Sequence, residues 1–297
     1  MTIPFLSRLD PDATELWRDL LEQALGEPVT LGPPDDPGAA DIAVVANPPQ
    51  GQLATLPNLR FIQSAWAGID GLMADPALPR HVPLARLIDP TLAAQMAEAV
   101  AGHVLALHRQ APAYAAQQAL GVWRKLPQPP TTARKVGLLG YGEMGRYCGK
   151  ILVNLGFLVS RWTRRSGDLD TLLAESEIVV NLLPLTQETR GILSQATFAR
   201  MRPGAAIINV GRGGHLVEAE LIPALDSGQL SHAVLDVFAL EPLPAEHPFW
   251  RHPKITLTPH AAAITDPASG ALRIAENIAR FRAGEPVLGL VSYQSGY

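Results

Sequence analysis

Cysteine is nearly missing from this sequence of 297 residues, in which Cys148 is the only one. No disulfide can therefore form within the chain. Cys148 falls in a helix predicted to follow Gly145, which favours a small packing residue over a reactive thiol. The first residues, MTIPFLSRLDPD, lack a basic region followed by an apolar segment, so no signal peptide is predicted. These absences predict a protein of the reducing cytoplasm.

Long apolar runs and long basic runs are missing as well. No apolar run reaches the roughly 18 residues that span a membrane, so a membrane partner is not expected. The net charge of −4, without a basic run, argues against nucleic acid as a partner. The hydrolase motif G-x-S-x-G is absent, and no metal site is predicted. With 47% hydrophobic and 18% charged residues, the composition indicates one or two globular domains.

The most informative stretch begins at Val136. An apolar run typical of a strand stops at Gly140, and Gly140, Gly142 and Gly145 form G-x-G-x-x-G ahead of a helix predicted over 143–155. This is the dinucleotide fingerprint. Gly140 permits a tight turn, Gly142 lets the backbone approach a pyrophosphate, and Gly145 lets the helix pack close to its strand. The N–H groups at the helix N-terminus then face the phosphates.

The first third of the chain alternates predicted strands and helices. A helix is expected over 14–25, with an apolar side formed by Leu16, Trp17, Leu20, Leu21 and Leu25. Three strands are expected over 41–46, 59–65 and 82–88. Buried apolar runs separated by turns indicate a parallel sheet with helices on its faces.

A long alanine-rich helical region over 92–119, broken near Pro112, leads into the second part of the chain. The fingerprint strand there is followed by strands predicted over 157–162, 177–183, 205–210, 232–238 and 255–258. Six strands separated by helices suit a doubly wound nucleotide-binding fold. A last helix over 267–283 is expected to cross back to the first domain.

The second strand of such a fold ends without an acidic residue. In an NAD-binding unit a carboxylate at this point accepts hydrogen bonds from the ribose 2′-hydroxyl. Here Thr163 occupies the position, Arg164 and Arg165 follow, and the next carboxylate is Asp168. Arginine pairs with the 2′-phosphate that a carboxylate would repel. The pattern predicts NADPH, with NADH possible; a solvated basic turn is the alternative, and which arginine meets the phosphate stays open.

Three polar residues each follow a later predicted strand, at the edge where α/β sheets bind their ligands. Arg212 follows the strand over 205–210, Glu241 follows that over 232–238, and His260 follows that over 255–258. Each has a plain alternative when it is considered alone. Arg212 is interpretable as a surface arginine, Glu241 as a solvated carboxylate and His260 as a cap of the next segment.

Together with the fingerprint, these residues resemble the D-2-hydroxyacid dehydrogenase family over the whole chain. Five motifs stand in the family's order, namely Gly140-x-Gly-x-x-Gly145, Leu183-Pro-Leu-Thr186, Asn209-Val-Gly-Arg-Gly213, Asp236-Val-Phe-x-x-Glu-Pro242 and Thr258-Pro-His260. Three more segments, at 64–70, 96–98 and 247–253, are similar to the glyoxylate/hydroxypyruvate reductase A type. Many relatives have alanine in place of Gly211 and a run such as Ile-Gly-Gly in place of 261–263, but the arginine and histidine are retained.

The resemblance implies an α/β fold of two doubly wound parallel-sheet domains. A Rossmann dinucleotide-binding domain of residues 91–267 would be inserted in a flavodoxin-like substrate domain of residues 1–90 and 268–297. Arg212 would bind the substrate carboxylate and polarise the 2-oxo group. His260 would donate a proton as hydride reaches C2, and Glu241 would orient its ring.

The resemblance also implies two sets of binding residues. The cofactor-binding residues would be Gly140, Gly142, Glu143, Met144, Gly145, Thr163, Arg164, Arg165, Leu183, Pro184, Val210, Gly211, Arg212, Asp236 and His260. The substrate-binding residues would be Trp66, Ala67, Gly68, Arg212 and His260. Trp66 is equally interpretable as a core tryptophan.

The sequence thus predicts an NADPH-dependent reductase of a small 2-ketoacid, with glyoxylate or hydroxypyruvate as the best substrate. One alternative is an NAD-dependent dehydrogenase of a bulkier hydroxy acid. Another is a nucleotide-sensing dimer without turnover, which the set of Arg212, Glu241 and His260 disfavours because a sensor needs no proton donor. The apolar helix over 92–119 and the family resemblance predict a homodimer. The alternative is that this helix is buried within one chain, and whether the Trp123 loop reaches a partner subunit stays open.

Overall fold

A computed structural model describes residues 2–294 of the chain. They fall into two compact units: one takes the chain up to Leu92 and again from Thr265, and the other is Ala93–Ile264. Each unit is a parallel sheet covered by helices. This is the predicted fold class of two parallel-sheet α/β domains. The limits expected from the sequence were Pro90 and Pro267.

The strands and helices follow one another in strict alternation over most of the chain. The strands are β1 (Ile3–Ser7), β2 (Val29–Leu31), β3 (Ile42–Ala46), β4 (Phe61–Ser64), β5 (Leu84–Ala85), β6 (Lys135–Leu139), β7 (Leu158–Trp162), β8 (Ile178–Asn181), β9 (Ala205–Asn209), β10 (Leu230–Leu235) and β11 (Ile255–Leu257). The helices are α1 (Pro11–Leu25), α2 (Asp70–Met73), α3 (Pro90–His108), α4 (Ala111–Ala119), α5 (Glu143–Asn154), α6 (Leu169–Glu175), α7 (Gln195–Arg200), α8 (Glu218–Asp226) and α9 (Pro267–Arg282).

The sheet of the first unit has the strand order β2-β1-β3-β4-β5, all parallel. This is the flavodoxin-like order. Both faces are covered, as a parallel sheet requires. One core contains Trp17 and Leu21 of α1 with Ile274 of α9, and the other contains Leu53 and Leu72.

Two strands of this sheet were not predicted from the sequence. The interior strand β1 contains Pro4, which has no N–H and therefore argues against such a position. The register explains why it is tolerated: β1 pairs with β3 from Phe5 onward, so Pro4 lies ahead of that pairing. The other missed strand, β2, has three residues. The strand predicted over 82–88 is also shorter than expected, with β5 covering Leu84–Ala85.

Helix α1 begins three residues earlier than predicted, because Asp10 caps it. The Asp10 carboxylate accepts a hydrogen bond from Ala13 N at 2.9 Å, and Pro11 suits the first helical position. Leu16 was wrongly assigned to the apolar side of this helix. Its side chain is 50% exposed, whereas Trp17 and Leu21 are buried and carry the packing.

The sheet of the second unit has the order β11-β10-β9-β8-β6-β7, again all parallel. The six predicted strands are therefore confirmed. Strand order reverses beside β6, and such a switch point is where open α/β sheets bind ligands. The break near Pro112 is also confirmed, because Gln110 adopts a left-handed backbone (φ 60°) between α3 and α4.

The last helix, α9, belongs to the first unit, as predicted. Its side chains Ala271, Ile274 and Ile278 are buried in the same core as Trp17. Each fully buried Ile contributes about 1.5–3 kcal/mol relative to exposure. Among the helices of residues 2–294, none is both long and apolar enough to cross a membrane.

Candidate active site

The fingerprint loop joins β6 to α5 and has the geometry that its glycines predict. Gly140 adopts φ 97°, and a Cβ there would lie 2.9 Å from the Leu182 carbonyl oxygen. A Cβ at Gly145 would overlap the Gly140 carbonyl. Gly142 differs, since it is exposed and a Cβ there would meet nothing within 4 Å. Gly140 and Gly145 are thus required by the fold, whereas Gly142 leaves open space at its backbone.

Helix α5 begins directly after Gly142. Its first intrahelical hydrogen bond runs from Arg146 N to Gly142 O at 3.0 Å, so the N–H groups of Glu143, Met144 and Gly145 precede the helical ladder. Glu143 is engaged at the surface by Arg146 at 2.8 Å. A loop open to approach, followed by uncommitted helix N–H groups, fits the pyrophosphate of a dinucleotide.

The predicted ribose end forms a tight turn after β7. Backbone hydrogen bonds join Thr163 and Ser166 in both directions, at 2.9 and 3.1 Å, and their hydroxyls lie 2.8 Å apart. Arg164 and Arg165 lie at the exposed tip of this turn. Both residues are at the surface, although the Arg164 side chain is only 31% exposed.

A carboxylate that the sequence analysis missed lies beside this turn. Arg164 Nη1 is 3.3 Å from Glu188 Oε2, and Thr186 Oγ1 donates to the same oxygen at 2.7 Å. The Thr186 hydroxyl, more than Arg164, lowers the pKa of the Glu188 carboxyl. The Leu183-Pro-Leu-Thr186 motif thereby ends next to the arginines, a proximity that sequence spacing does not reveal.

Arg212 follows β9 on a loop whose backbone is tightly held. Asn209 Nδ2 donates to Arg212 O at 3.2 Å, and Arg212 Nη1 donates to Gly211 O at 2.7 Å. At Gly213, a Cβ would overlap the Phe238 carbonyl group. The loop therefore lies directly against the backbone that follows β10, which brings the Arg212 and Glu241 segments together.

His260 and Glu241 form the closest pair among the predicted catalytic residues. His260 Nδ1 lies 2.7 Å from Glu241 Oε2, and Phe238 N donates to Glu241 Oε1 at 2.9 Å. A carboxylate only accepts hydrogen bonds, so Nδ1 carries a proton and Nε2 takes no part in this contact. About 47% of the His260 side chain is exposed. The ring is thus oriented and accessible, as proton transfer at Nε2 requires.

Asp236 supports the backbone of His260, which adopts φ 53°, a left-handed conformation rare for residues with a side chain. The Asp236 carboxylate is buried and accepts from Thr258 Oγ1, Ala261 N and Ala262 N at 2.6, 2.8 and 3.1 Å. Its carbonyl accepts from His260 N at 2.8 Å. Asp236 was predicted from the sequence as a cofactor-binding residue. In the structure it stabilises the turn at His260 by accepting hydrogen bonds from its backbone N–H groups.

The predicted substrate residues Trp66, Ala67 and Gly68 follow β4 in the first unit and are half-buried. The Trp66 ring packs edge-on against Trp17, with centroids 5.9 Å apart. This packing is what the core interpretation of Trp66 predicts. The substrate role of the three residues stays a prediction.

Leu183 and Val210, two of the predicted cofactor residues, are buried in the second unit, while Pro184 is exposed. Cys148 is also buried there, and burial raises the pKa of its thiol to about 12. The predicted role as a packing residue is confirmed, because a thiol with that pKa is not a nucleophile at neutral pH.

Fold and loop geometry together define a dinucleotide-dependent oxidoreductase. The family model for the NAD-binding domain of D-isomer specific 2-hydroxyacid dehydrogenases matches residues 101–262. Among curated proteins, glyoxylate/hydroxypyruvate reductase A of Serratia proteamaculans (strain 568) is 39% identical over 301 residues, covering 95% of this chain and 96% of that protein. The chain belongs to the D-isomer specific 2-hydroxyacid dehydrogenase family, as its motifs predicted.

Solved structures agree with this assignment. A D-isomer specific 2-hydroxyacid dehydrogenase from Xanthobacter autotrophicus Py2, in complex with NADPH and MES, has a TM-score of 0.94 and 37% identity, covering 100% of this chain and 99% of that chain. An NADPH-dependent glyoxylate/hydroxypyruvate reductase from Sinorhizobium meliloti, in complex with NADP and sulfate, has a TM-score of 0.92 and 34% identity over the same shares. This chain is therefore similar throughout its length to NAD(P)-dependent oxidoreductases.

Proposed function

We propose that this protein reduces a small 2-ketoacid, glyoxylate or hydroxypyruvate, to the 2-hydroxy acid with NADPH. The observation that carries the proposal is the 2.7 Å contact between His260 Nδ1 and Glu241 Oε2, on a loop adjoining that of Arg212. The Serratia and Sinorhizobium relatives named for these two substrates support the choice of substrate. Bound NADPH would supply the hydride for C2 of the ketoacid.

Arg212 is proposed to bind the substrate carboxylate. A guanidinium presents parallel N–H donors that match two carboxylate oxygens, and its fixed charge also polarises the neighbouring 2-oxo group. The loop backbone of Arg212 is held by Asn209 at 3.2 Å. Because the backbone is fixed before substrate arrives, less freedom is lost on binding.

His260 is proposed to donate the proton that completes the reduction. In the imidazolium form both ring nitrogens carry protons; Glu241 accepts from Nδ1, and Nε2–H donates to the oxygen on C2. The Glu241 carboxylate stabilises the positive ring before the transfer and keeps its orientation afterwards. A positioned acid of this kind contributes on the order of 10²–10⁴-fold to rate.

NADPH is proposed over NADH on the chemistry of the turn after β7. Thr163 offers no negative charge, and the exposed Arg164 and Arg165 can pair with a 2′-phosphate. The NADPH and NADP complexes of the Xanthobacter and Sinorhizobium proteins support this choice. The solvated basic turn remains the alternative, and it predicts no preference between the two cofactors.

Turnover with a panel of 2-ketoacids tests the function. The panel contains glyoxylate, hydroxypyruvate, pyruvate and a bulky aromatic 2-ketoacid, each with NADPH and with NADH. We expect the highest kcat/KM for the two small acids with NADPH. A best substrate that is bulky, used with NADH, would favour the dehydrogenase alternative, and cofactor binding without turnover would favour the sensor.

The same panel run on Arg212→Lys tests the carboxylate clamp. A point ammonium cannot reproduce a bidentate fork, so we expect a loss of about tenfold or more in kcat/KM. Unchanged reduction of glyoxylate by this variant would remove Arg212 from that role. The thermal unfolding temperature of the variant, compared with that of the wild-type protein, controls for misfolding.

A further inference from the structure

A buried polar network lies beneath the Arg212 loop, centred on His215. The His215 side chain has no exposed surface. Its Nδ1 atom lies 3.1 Å from Arg212 N and 2.9 Å from Asn181 Nδ2. Its Nε2 atom lies 3.2 Å from Pro184 O. One ring thus reaches the backbone of the Arg212 segment and that of the Pro184 segment.

The partners of His215 determine which nitrogen carries its proton. Arg212 N–H is a backbone group and can only donate, so Nδ1 accepts. Pro184 O is a carbonyl and can only accept, so Nε2 carries the proton. The ring is therefore the neutral Nε2–H tautomer, with one nitrogen committed to each segment.

The space around His215 leaves little freedom for either segment. A Cβ added at Gly211 would lie 2.9 Å from Asn181 Nδ2 and 3.0 Å from His215 Nδ1. Asn181 Nδ2 also donates to Asn209 Oδ1 at 2.9 Å, which ties the ends of β8 and β9 together. Pro184 O has a second donor, Thr189 Oγ1 at 2.7 Å. Pro184 O therefore accepts from Thr189 as well as from His215, and the backbone N–H of Arg212 donates to His215 Nδ1.

We propose that His215 is a positioning residue that links the substrate clamp to the cofactor loop. Its Nδ1 sets the backbone of Arg212, and its Nε2–H sets the Pro184 segment. This inference rests on the proposed function, in which Arg212 binds the substrate carboxylate, and on the role in cofactor binding that the family resemblance implies for Pro184. The two nitrogens have separate tasks, so the tasks can be separated by substitution.

Three variants divide the two tasks. His215→Asn retains an oxygen acceptor near Nδ1 but loses the donor to Pro184. His215→Gln retains an amide donor that reaches toward Pro184 but loses the acceptor for Arg212 N–H. His215→Leu removes both. His232→Asn is the matched control, because His232 is a buried histidine of β10 whose ring contacts Thr256 at 2.9 Å, away from both segments.

The readouts are KM for glyoxylate and the dissociation constant of NADPH, measured by fluorescence without turnover. For His215→Leu we expect KM to rise about tenfold, the equivalent of one lost hydrogen bond, and NADPH affinity to fall by less, about threefold, because Thr189 remains. His215→Asn should restore KM but not NADPH affinity. His215→Gln should do the reverse.

Parallel changes of both constants in all three variants, in proportion to the loss of thermal stability, would reduce His215 to a packing residue and overturn the proposal. So would three folded variants with unchanged constants. The ¹⁵N NMR spectrum of the His215 ring in the wild-type protein shows which ring nitrogen carries the proton. This test requires no variant and no turnover. A proton on Nδ1 of His215 would overturn the assigned tautomer and with it the proposal. Failure of the proposed function is distinguishable, because it would appear as a wild-type protein that reduces no 2-ketoacid while the His215 spectrum still shows the proton on Nε2.

Discussion

His260 Nδ1 and Glu241 Oε2 lie 2.7 Å apart, and the backbone of His260 adopts φ 53°. Such a conformation costs on the order of 1 kcal/mol or more for a residue with a side chain. It persists because Asp236 accepts His260 N–H at 2.8 Å and two further backbone N–H groups of the turn. The orientation of the imidazole is thus fixed from its own backbone as well as from Glu241.

Removal of the imidazole should abolish most of the rate. We expect His260→Ala to lose on the order of 10²-fold or more in kcat, the usual contribution of a general acid. Glu241→Gln should lose about tenfold or more, because a neutral amide neither stabilises the charged ring nor fixes its tautomer. Steady-state kinetics at neutral pH measures both. Wild-type kcat in His260→Ala would exclude this histidine as the proton donor.

The open space at Gly142 gives a prediction about cofactor binding. Gly142→Ala should fold normally, because its Cβ meets nothing within 4 Å. It should nevertheless weaken NADPH binding about tenfold or more, because the methyl group occupies the path of the pyrophosphate. Gly102→Ala on α3 is the control, since a Cβ there also meets nothing within 4 Å. Equal NADPH affinity in the two variants would mean that the phosphates bind elsewhere.

The arginines after Thr163 should determine the cofactor preference. Neutral replacement of Arg164 and Arg165 together should raise KM for NADPH about tenfold or more and leave NADH kinetics nearly unchanged. Adding Thr163→Asp should then favour NADH, by supplying an acceptor for the free 2′-hydroxyl. The preference should weaken at high salt, because the turn is exposed.

Glu188 refines this prediction. Its carboxylate is 3.3 Å from Arg164 and would lie beside a bound phosphate. Glu188→Gln should therefore raise the preference for NADPH by a few-fold, the scale of a surface ion pair. Arg273→Gln on α9, which breaks a comparable surface pair at 3.0 Å with Glu276, is the control.

One result would contradict the predictions for Arg164, Arg165 and Glu188 together. Equal kcat/KM of the wild-type protein for NADH and NADPH would assign the two arginines to the solvated surface.

His232 should make the stability of the protein depend on pH. Burial lowers the pKa of His232 from 6.5 to about 4, with a smaller effect of His252. Between these values the unfolded chain binds the proton and the folded chain does not, so stability falls as pH drops below 6.5. The loss from this group between pH 7.5 and 5 is about 2 kcal/mol. His232→Gln should remove that slope in urea denaturation, whereas the exposed His81→Gln should not; equal slopes in both would contradict the assignment.

Val100 and Val104 of α3 pack in a core of their own chain, so the predicted homodimer is best tested at the surface after α4. Leu120 and Trp123 are 78% and 97% exposed, and large apolar side chains clustered at a surface mark interaction sites. We expect sedimentation at micromolar concentration to give twice 31.8 kDa. Replacing both residues with serine should shift the equilibrium to the monomer. A wild-type mass of 31.8 kDa would refute the homodimer.

The sequence predicts the second unit of this fold well because its signals are local. Most strands there are short apolar runs, and Gly145 is required by a contact within its own loop, with the Gly140 carbonyl. The first unit is predicted less well. Pro4 hides β1, and only the long-range register with β3, which starts at Phe5, shows why a proline is accepted.

The supporting residues of the candidate site could not be predicted for the same reason. His215 contacts Asn181 and Pro184 across more than 30 positions, and no spacing rule relates them. Asp236 was noticed as part of a motif, but its contact with Ala262 N depends on how two loops meet. Sequence reasoning finds groups that project toward ligands, whereas a buried network becomes visible only when its members are folded together.

The contact of Gly213 with the Phe238 backbone has a consequence for how this enzyme can change. Position 213 admits no side chain, so this position of the arginine loop should offer no viable variants to natural selection or to a mutagenesis library. The turn from Thr163 to Ser166 contacts mainly itself. Randomising those four positions should leave most clones folded and able to reduce the 2-ketoacid. The cofactor preference can therefore diverge between related proteins while the catalytic residues stay the same.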